Sequence, residues 1–503
     1  MQTRISLTSG GLLLALVLCS AGAAPEPGDY FGIRVIDEQT GRGVPMVELK
    51  TTSNVSYYTD SDGFVAFYEP GMMNQDVWFS ILSDGYEYPA DGFGARGTRL
   101  RTRPGALAQL KIKRINIAER LYRATGEGIY RDSVLLGRKP PMSVPLLNAE
   151  VTGQDGVLNA IYKGKLYWFY GDTSWSSFIL GNFSMTGATT ALPDKIDPSA
   201  GFELHYFTGK DGFVRAMAPM EGEGVVWLYG LVVLPDALGN ERMVAYYQRR
   251  RGLEKNLENG FVIWNDEKSQ FEKLKTLPLD PPFFPTGYPF RAMGDDGAEY
   301  IYFSTPYPDL RVKADMASYL NLSNYDGYTG KRDASGKLVW SWKKNTAPLS
   351  VEEQMDLIKS GKMKRDETPF RLRDARSGKA ILLNSCSCCW NNYRKRYVMI
   401  ASESFGASML GEVWYSEADR PEGPWTEAVK IITHANKAND PHDFYNPVHH
   451  PFFDQDNGRV IYLEGSYVNT FSGNARTTPY YEYNLIMYRL DLSDRRLKQD
   501  SDK

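Results

Sequence analysis

Short aromatic and aliphatic runs recur along the chain, each entered by a polar turn and closed by a small or acidic residue. They are Lys165–Asp172, Val225–Leu231, Glu299–Pro306, Arg396–Glu403 and Arg459–Ser466. A second apolar run lies before each turn, so every copy reads as a β-hairpin. Hairpin units repeated along one chain stack radially, and five copies predict an all-β chain carrying a five-bladed β-propeller over about 148–491. In such a ring the start of each innermost strand and the end of the strand after it emerge on one face, where any chemistry is expected.

The pattern differs before the repeats. Tyr30–Asp37, Val44–Thr51, Ser56–Asp60 and Gly63–Pro70 are short strands separated by turn residues, and residues 28–113 read as a separate β-sandwich. The phrases Thr40–Pro45 and Tyr58–Gly63 resemble the transthyretin-like, or carboxypeptidase-regulatory, family. That resemblance implies an accessory, non-catalytic module. Asn116 is placed to cap a short helix from Ile117 to about Ala124, inside a Pro-rich connector spanning 114–147. Ser350 and Glu353 form a capping box that predicts a helix to about Ser360, stopped by Gly361. Residues 492–503 read as a polar tail.

Composition narrows the function. A net charge of −3 over 503 residues, with no Lys/Arg block, argues against a nucleic-acid partner. The 32 Tyr and 10 Trp suit a β-rich fold and also a sugar-binding surface. Arg4, the apolar run 11–19 and the small residues Ala21–Ala23 predict a signal peptide cleaved after Ala23, hence an exported protein, periplasmic or extracellular. No stretch is long and apolar enough for a transmembrane segment. Beyond Cys19, the cysteines are clustered at Cys386, Cys388 and Cys389. Their state stays open between a local disulfide with one free thiol, a soft-metal site and simple packing, and a nucleophilic role would need a His from blade five.

On the predicted face three carboxyl groups stand out: Asp155 and Asp172 on blade one and Glu403 on blade four. Glycoside cleavage needs one protonated carboxyl to protonate the leaving oxygen and one ionised carboxylate to activate water or attack the sugar. Asp155 or Asp172 is the expected base or nucleophile and Glu403 the expected acid. Arg215 and Arg291 occur in the matching phrases Phe213–Met217 and Pro289–Met293. They read either as a fork for an acidic sugar or as buried partners of the aspartates. Trp390, His442, Asp443, Tyr445 and Asn446 complete the candidate substrate-binding set. Glu221 and Glu223 are set aside as a solvated hairpin on the opposite face. No metal site and no nucleotide cofactor is indicated, and a structural calcium is left open without a ligand signature.

The five hairpins, the Ser416–Trp425 turn with its Pro-Glu-Gly-Pro-Trp wording and the face carboxylates resemble the five-bladed propeller glycosidases, the group containing arabinanases and invertases. The resemblance implies a glycoside hydrolase acting on a polysaccharide or oligosaccharide; the N-terminal pattern adds export, and the arginines, read as a fork, an acidic substrate. Blade one reads Thr152–Gly156 instead of the invertase-type opening, and arginines stand where that group has acidic helpers, so its residue roles do not transfer. Two alternatives remain: a polysaccharide lyase using His442 or Tyr445 with the arginines, and a non-catalytic glycan-binding or surface-assembly protein.

Overall fold

The structure is a computed structural model that describes residues 24–498, apart from 183, 436–441, 470–471 and 475–476. The expected signal peptide lies outside the described residues. Among them no helix is long and apolar enough to cross a membrane.

Residues 31–114 form two facing four-stranded sheets. One runs Phe64–Phe67, Phe31–Asp37, Leu107–Arg114, Tyr86–Glu87, and the other Ser56–Tyr58, Glu48–Thr51, Asp76–Leu82, Gly97–Arg101. Alternating residues point inward, and Ile33, Val35, Leu49, Val65, Phe67, Phe79 and Ile112 fill the space between the sheets.

Five further sheets form the propeller. Their innermost strands, in ring order, are Val157–Tyr162, Val225–Pro235, Pro289–Met293, Leu383–Asn391 and Asp443–His449. Adjacent blades bury an apolar layer at each of the five junctions. Phe169 meets Trp264 between blades one and two, and Phe261 meets Tyr319 between two and three. Tyr307 and Cys386 share the next layer, Ile400 and Ile461 the fourth, and Trp168 and Tyr462 the last. Trp425, at the Pro-Glu-Gly-Pro-Trp turn, is fully buried and donates its indole N–H to the Pro421 carbonyl at 3.1 Å. The capped helix is present as Val351–Lys359, with both bonds of the Ser350/Glu353 box made.

The order around the ring departs from the sequence pattern in two places. The apolar run beginning at Val225 is the innermost strand of blade two, not the second. The turn before it links two blades, with Gly222 and Gly224 at φ 93° and 100°, so Glu221 and Glu223 lie at the same face as Asp155. They are exposed there. The run was misplaced because both central strands of this hairpin are 11 residues of similar apolarity. The Phe213–Met217 phrase supplies only an isolated bridge, Thr208 to Val214.

The second departure is the expected helix at 117–124. Residues Glu119–Arg123 are instead the outermost strand of blade five, antiparallel to Asn484–Asp491. Tertiary pairing overrides the cap signal, since Asn116 uses its side chain to bind the main chain of Thr433. The chain therefore closes its ring with a strand drawn from before the first blade. That strand also faces the sandwich. The Arg120 guanidinium donates to Ser83 and to the Asp84 carbonyl. Arg123 donates to Asn484 and the Tyr480 carbonyl and lies 4.5 Å from the Tyr481 ring centroid. The helix that does occur in the connector is Arg131–Leu135, and the tail residues Leu492 and Leu497 are buried.

Leu121, fully buried on the closing strand, tests this arrangement. Leu121→Ala should cost about 3 kcal/mol of stability in thermal or denaturant unfolding, whereas Leu238→Ala at an exposed turn should stay within about 0.5 kcal/mol. Equal small effects would mean that the strand does not hold the ring.

Candidate active site

Asp155 sits just before the innermost strand of blade one and Asp172 just after the strand paired with it. Reciprocal main-chain bonds tie the two segments, Asp155 N to Asp172 O at 2.9 Å and Gly171 N to Asp155 O at 2.7 Å. The turn at Gly156 has φ 46°, which lets the chain pass from one carboxyl to the strand below.

Blade five supplies the partners of Asp155. Ser466 donates its hydroxyl to Asp155 Oδ1 at 2.9 Å and receives the Gly156 N–H at 2.8 Å. The Tyr445 hydroxyl also bonds Asp155, and the Asn446 side chain packs against Gly156 at a bulge where its φ is 51°. Among the described residues Asp172 has a single side-chain donor, the Trp227 indole N–H at 3.3 Å. Tyr483 lies within electrostatic reach of both carboxyls, and Tyr229 within reach of Asp172 and Arg250. The Arg250 guanidinium lies 5.8 Å from the Trp227 ring centroid, and its Nε is buried without a hydrogen-bond partner.

These environments separate the two acids. Burial raises the pKa of Asp155, but Ser466, Tyr445 and the Gly156 amide all oppose the rise by bonding the ionised form. Burial, and then the Asp155 charge, push Asp172 up to about 7 against the lone indole bond. Asp155 therefore gives up its proton first, and burial together with that charge holds the proton on the neighbouring carboxyl up to about pH 7.

The structure brings Asp155, Asp172, Tyr445 and Asn446 together and disperses the rest of the expected set. Glu403 accepts the Trp414 indole N–H at 2.8 Å and its electrostatic neighbours are Lys430, Glu412 and Asp374, all on blade four. Arg215 binds the Lys268 and Ser269 carbonyls and Gln270, at the turn joining the outer strands of blade two. Arg291 pairs with Glu299 and the Val233 carbonyl at the opposite face. The two arginines are neither a fork at the mouth nor partners of the aspartates, because their phrases occupy different positions in their blades. Trp390 lies at the far end of its strand against Tyr397, also at the opposite face. His442 bonds Asn469 at 2.9 Å and faces Asp84 of the sandwich at 4.0 Å. Asp443 is buried and holds the Leu410 amide at 2.9 Å.

Cys386, Cys388 and Cys389 are free and buried. Cys389 Sγ lies 3.2 Å from His449 Nδ1, and His449 Nε2 lies 2.7 Å from Asp454. This trio packs at the far ends of the inner strands, away from the carboxyl pair. Among the described residues, no group of three or more His, Cys, Asp or Glu side chains is arranged to hold a metal ion.

Trp227, Tyr229, Arg250 and Tyr483 were missed. Trp227 and Tyr229 stand within the apolar run at Val225, and once that run is placed innermost its first residues must line the mouth. Arg250 and Tyr483 carry no sequence signal of their own.

No family model matches the chain, and no curated protein does. Solved structures align over most of it at low identity. An exo-β-1,3-galactanase from Phanerochaete chrysosporium with galactose is 11% identical, over 75% of this chain and 65% of that one, with a TM-score of 0.36. An exo-1,5-α-L-arabinanase from a bovine ruminal metagenomic library is 11% identical, over 68% and 94%, with a TM-score of 0.33. A GH43_1 enzyme from Xanthomonas citri with xylotriose is 12% identical, over 67% and 87%, with a TM-score of 0.32. Likeness at this level carries no argument about activity.

Asp155→Asn should lower the titration point of Asp172 toward the ordinary carboxylate range, as followed by NMR of 13C-labelled aspartate or by infrared difference spectra. An unchanged Asp172 would show that the two carboxyls are not coupled.

Proposed function

We propose that the chain is a glycoside hydrolase whose chemistry is carried by Asp155 and Asp172. The observation that supports this most is the separation of two adjacent carboxyls into an ionised member with three donors and a member kept protonated near neutral pH. Asp172 would protonate the departing glycosidic oxygen as the bond to the anomeric carbon breaks. Asp155 would attack that carbon or take a proton from the water that does, so the net change is addition of water across the bond. Trp227, Tyr229, Tyr445 and Tyr483 offer flat rings for a sugar to lie against. The roles expected of Glu403, Arg215 and Arg291 do not enter this reading.

With both expected arginines engaged elsewhere, the basis for an acidic substrate falls away, and a neutral glycan is the better proposal. The same facts weaken the lyase alternative, because His442 is held by Asn469 and Tyr445 by Asp155. We also propose that the chain is exported, on the strength of its N-terminal pattern alone.

The test is a polysaccharide panel read for new reducing ends and for ultraviolet absorbance together. New reducing ends without absorbance are expected. Asp155→Asn and Asp172→Asn should each lower the rate by about 10³-fold, as expected of acid–base groups. Ser466→Ala should lower it about tenfold through loss of a positioning bond, within the range a single hydrogen bond supports. Glu403→Gln should leave it nearly unchanged. Absorbance that survives both aspartate changes would establish a lyase, and silence on every glycan would leave binding.

A further inference from the structure

A second concave site lies on the same face, where the link from blade two meets blade three. Its walls come from the link before the third inner strand and from the turn after Ser304. The cavity measures about 450 Å³, within the range of roughly 300–1,000 Å³ usual for ligand pockets. Pro281, Phe283, Phe284 and Pro306 make it largely apolar, and Thr286, Thr305 and Ser350 add hydroxyls. It opens to solvent past the exposed Pro282, Ala347 and Glu353.

One side chain on this wall makes no hydrogen bond to another described residue. Asp309 is 7% exposed, lines the cavity and, among the described residues, has only its own backbone N–H as a hydrogen-bond partner. A carboxyl buried among rings and prolines with only its own amide to bond is costly, so a ligand or solvent must satisfy its remaining capacity from the cavity side. Burial pushes its pKa up to about 8, so at neutral pH it is an O–H donor that does not repel an electron-rich oxygen.

One wall of the cavity packs against rings from blade two. Phe284, one of its walls, stacks on Tyr246 at 5.1 Å and meets Tyr229 edge-on at 5.7 Å. Tyr229 is the residue that senses Asp172 and Arg250. A run of rings thus leads from the surroundings of Asp172 to the cavity wall.

We propose that this cavity is a subsite for a neutral sugar residue of the glycan chain, with the Asp309 carboxyl bonding its hydroxyls and Phe284 and Pro306 covering its C–H face. The inference rests on the hydrolase reading for its substrate class, but its own observation is the buried Asp309 carboxyl in an apolar cavity, bonded only to its own amide. Removing Asp309 deletes a buried group bonded to no other described residue, so the variants should keep or raise the thermal midpoint.

The experiment measures binding apart from cleavage. The Asp172→Asn protein is presented to an array of neutral and of uronate-containing oligosaccharides, with and without Asp309→Leu or Asp309→Asn. The expected result is capture of neutral glycans, with affinity lowered about tenfold by Asp309→Leu, in keeping with loss of a buried hydrogen bond and its contacts. Asp309→Asn, which keeps a donor, should stay within about threefold of the parent. Equal affinities in all three proteins, or capture of uronate glycans alone, would overturn the subsite. If binding depends on Asp309 while the wild-type chain releases no reducing ends, the subsite stands and the hydrolase reading falls. Cleavage that needs Asp155 and Asp172 while no affinity depends on Asp309 leaves the reading standing and removes the subsite.

Discussion

The structure depends on one strand. A propeller must join its last blade to its first, and here the join is made by Glu119–Arg123, which precedes the first blade in sequence and completes the fifth. Its two arginines are almost wholly buried, and each is held by main-chain oxygens and an aromatic face. Burying guanidinium groups is expensive unless their donors are met. The sandwich meets part of that demand through Ser83 and Asp84. The N-terminal module is therefore part of the closure and not an appendage: Thr40 bonds Glu119 at 2.7 Å, and Glu119 pairs with Arg489 of the same blade.

The seam made by that strand is also where the carboxyl pair stands. Asp155 belongs to blade one, yet its two side-chain partners, Ser466 and Tyr445, belong to blade five. Blade two contributes Trp227 to Asp172. Three blades thus set two acids apart, and any slackening of the join would move Ser466 away from Asp155. Stability and the proposed chemistry are linked through this contact.

Much of the architecture was legible in the residues, since turn-delimited apolar runs mark hairpins and their recurrence marks a radial repeat. Four of the five runs are second strands, as their order suggests. Strand phase was not legible for the run at Val225, because an interblade link rich in Gly and Glu looks the same as a hairpin turn. The closing strand read as a helix for a related reason: its conformation is set by Asn484–Asp491, hundreds of residues away. The aspartates could be found because an acid that ends an apolar strand, or precedes one at a Gly turn, must emerge at the mouth. Glu403 obeyed the same rule but turns toward Trp414 and the outer strands, a choice made by packing. Arg215 and Arg291 shared wording without sharing position.

The most direct measurement is the pH dependence of kcat/KM on the glycan that the chain cleaves. The account predicts a bell. Its acid limb marks ionisation of Asp155, and activity falls above about pH 7 as Asp172 loses the proton it must donate. A rate that holds or climbs through pH 9 would contradict the assignment of Asp172 as the acid and, with it, the claim that the seam between blades five and one holds the chemistry.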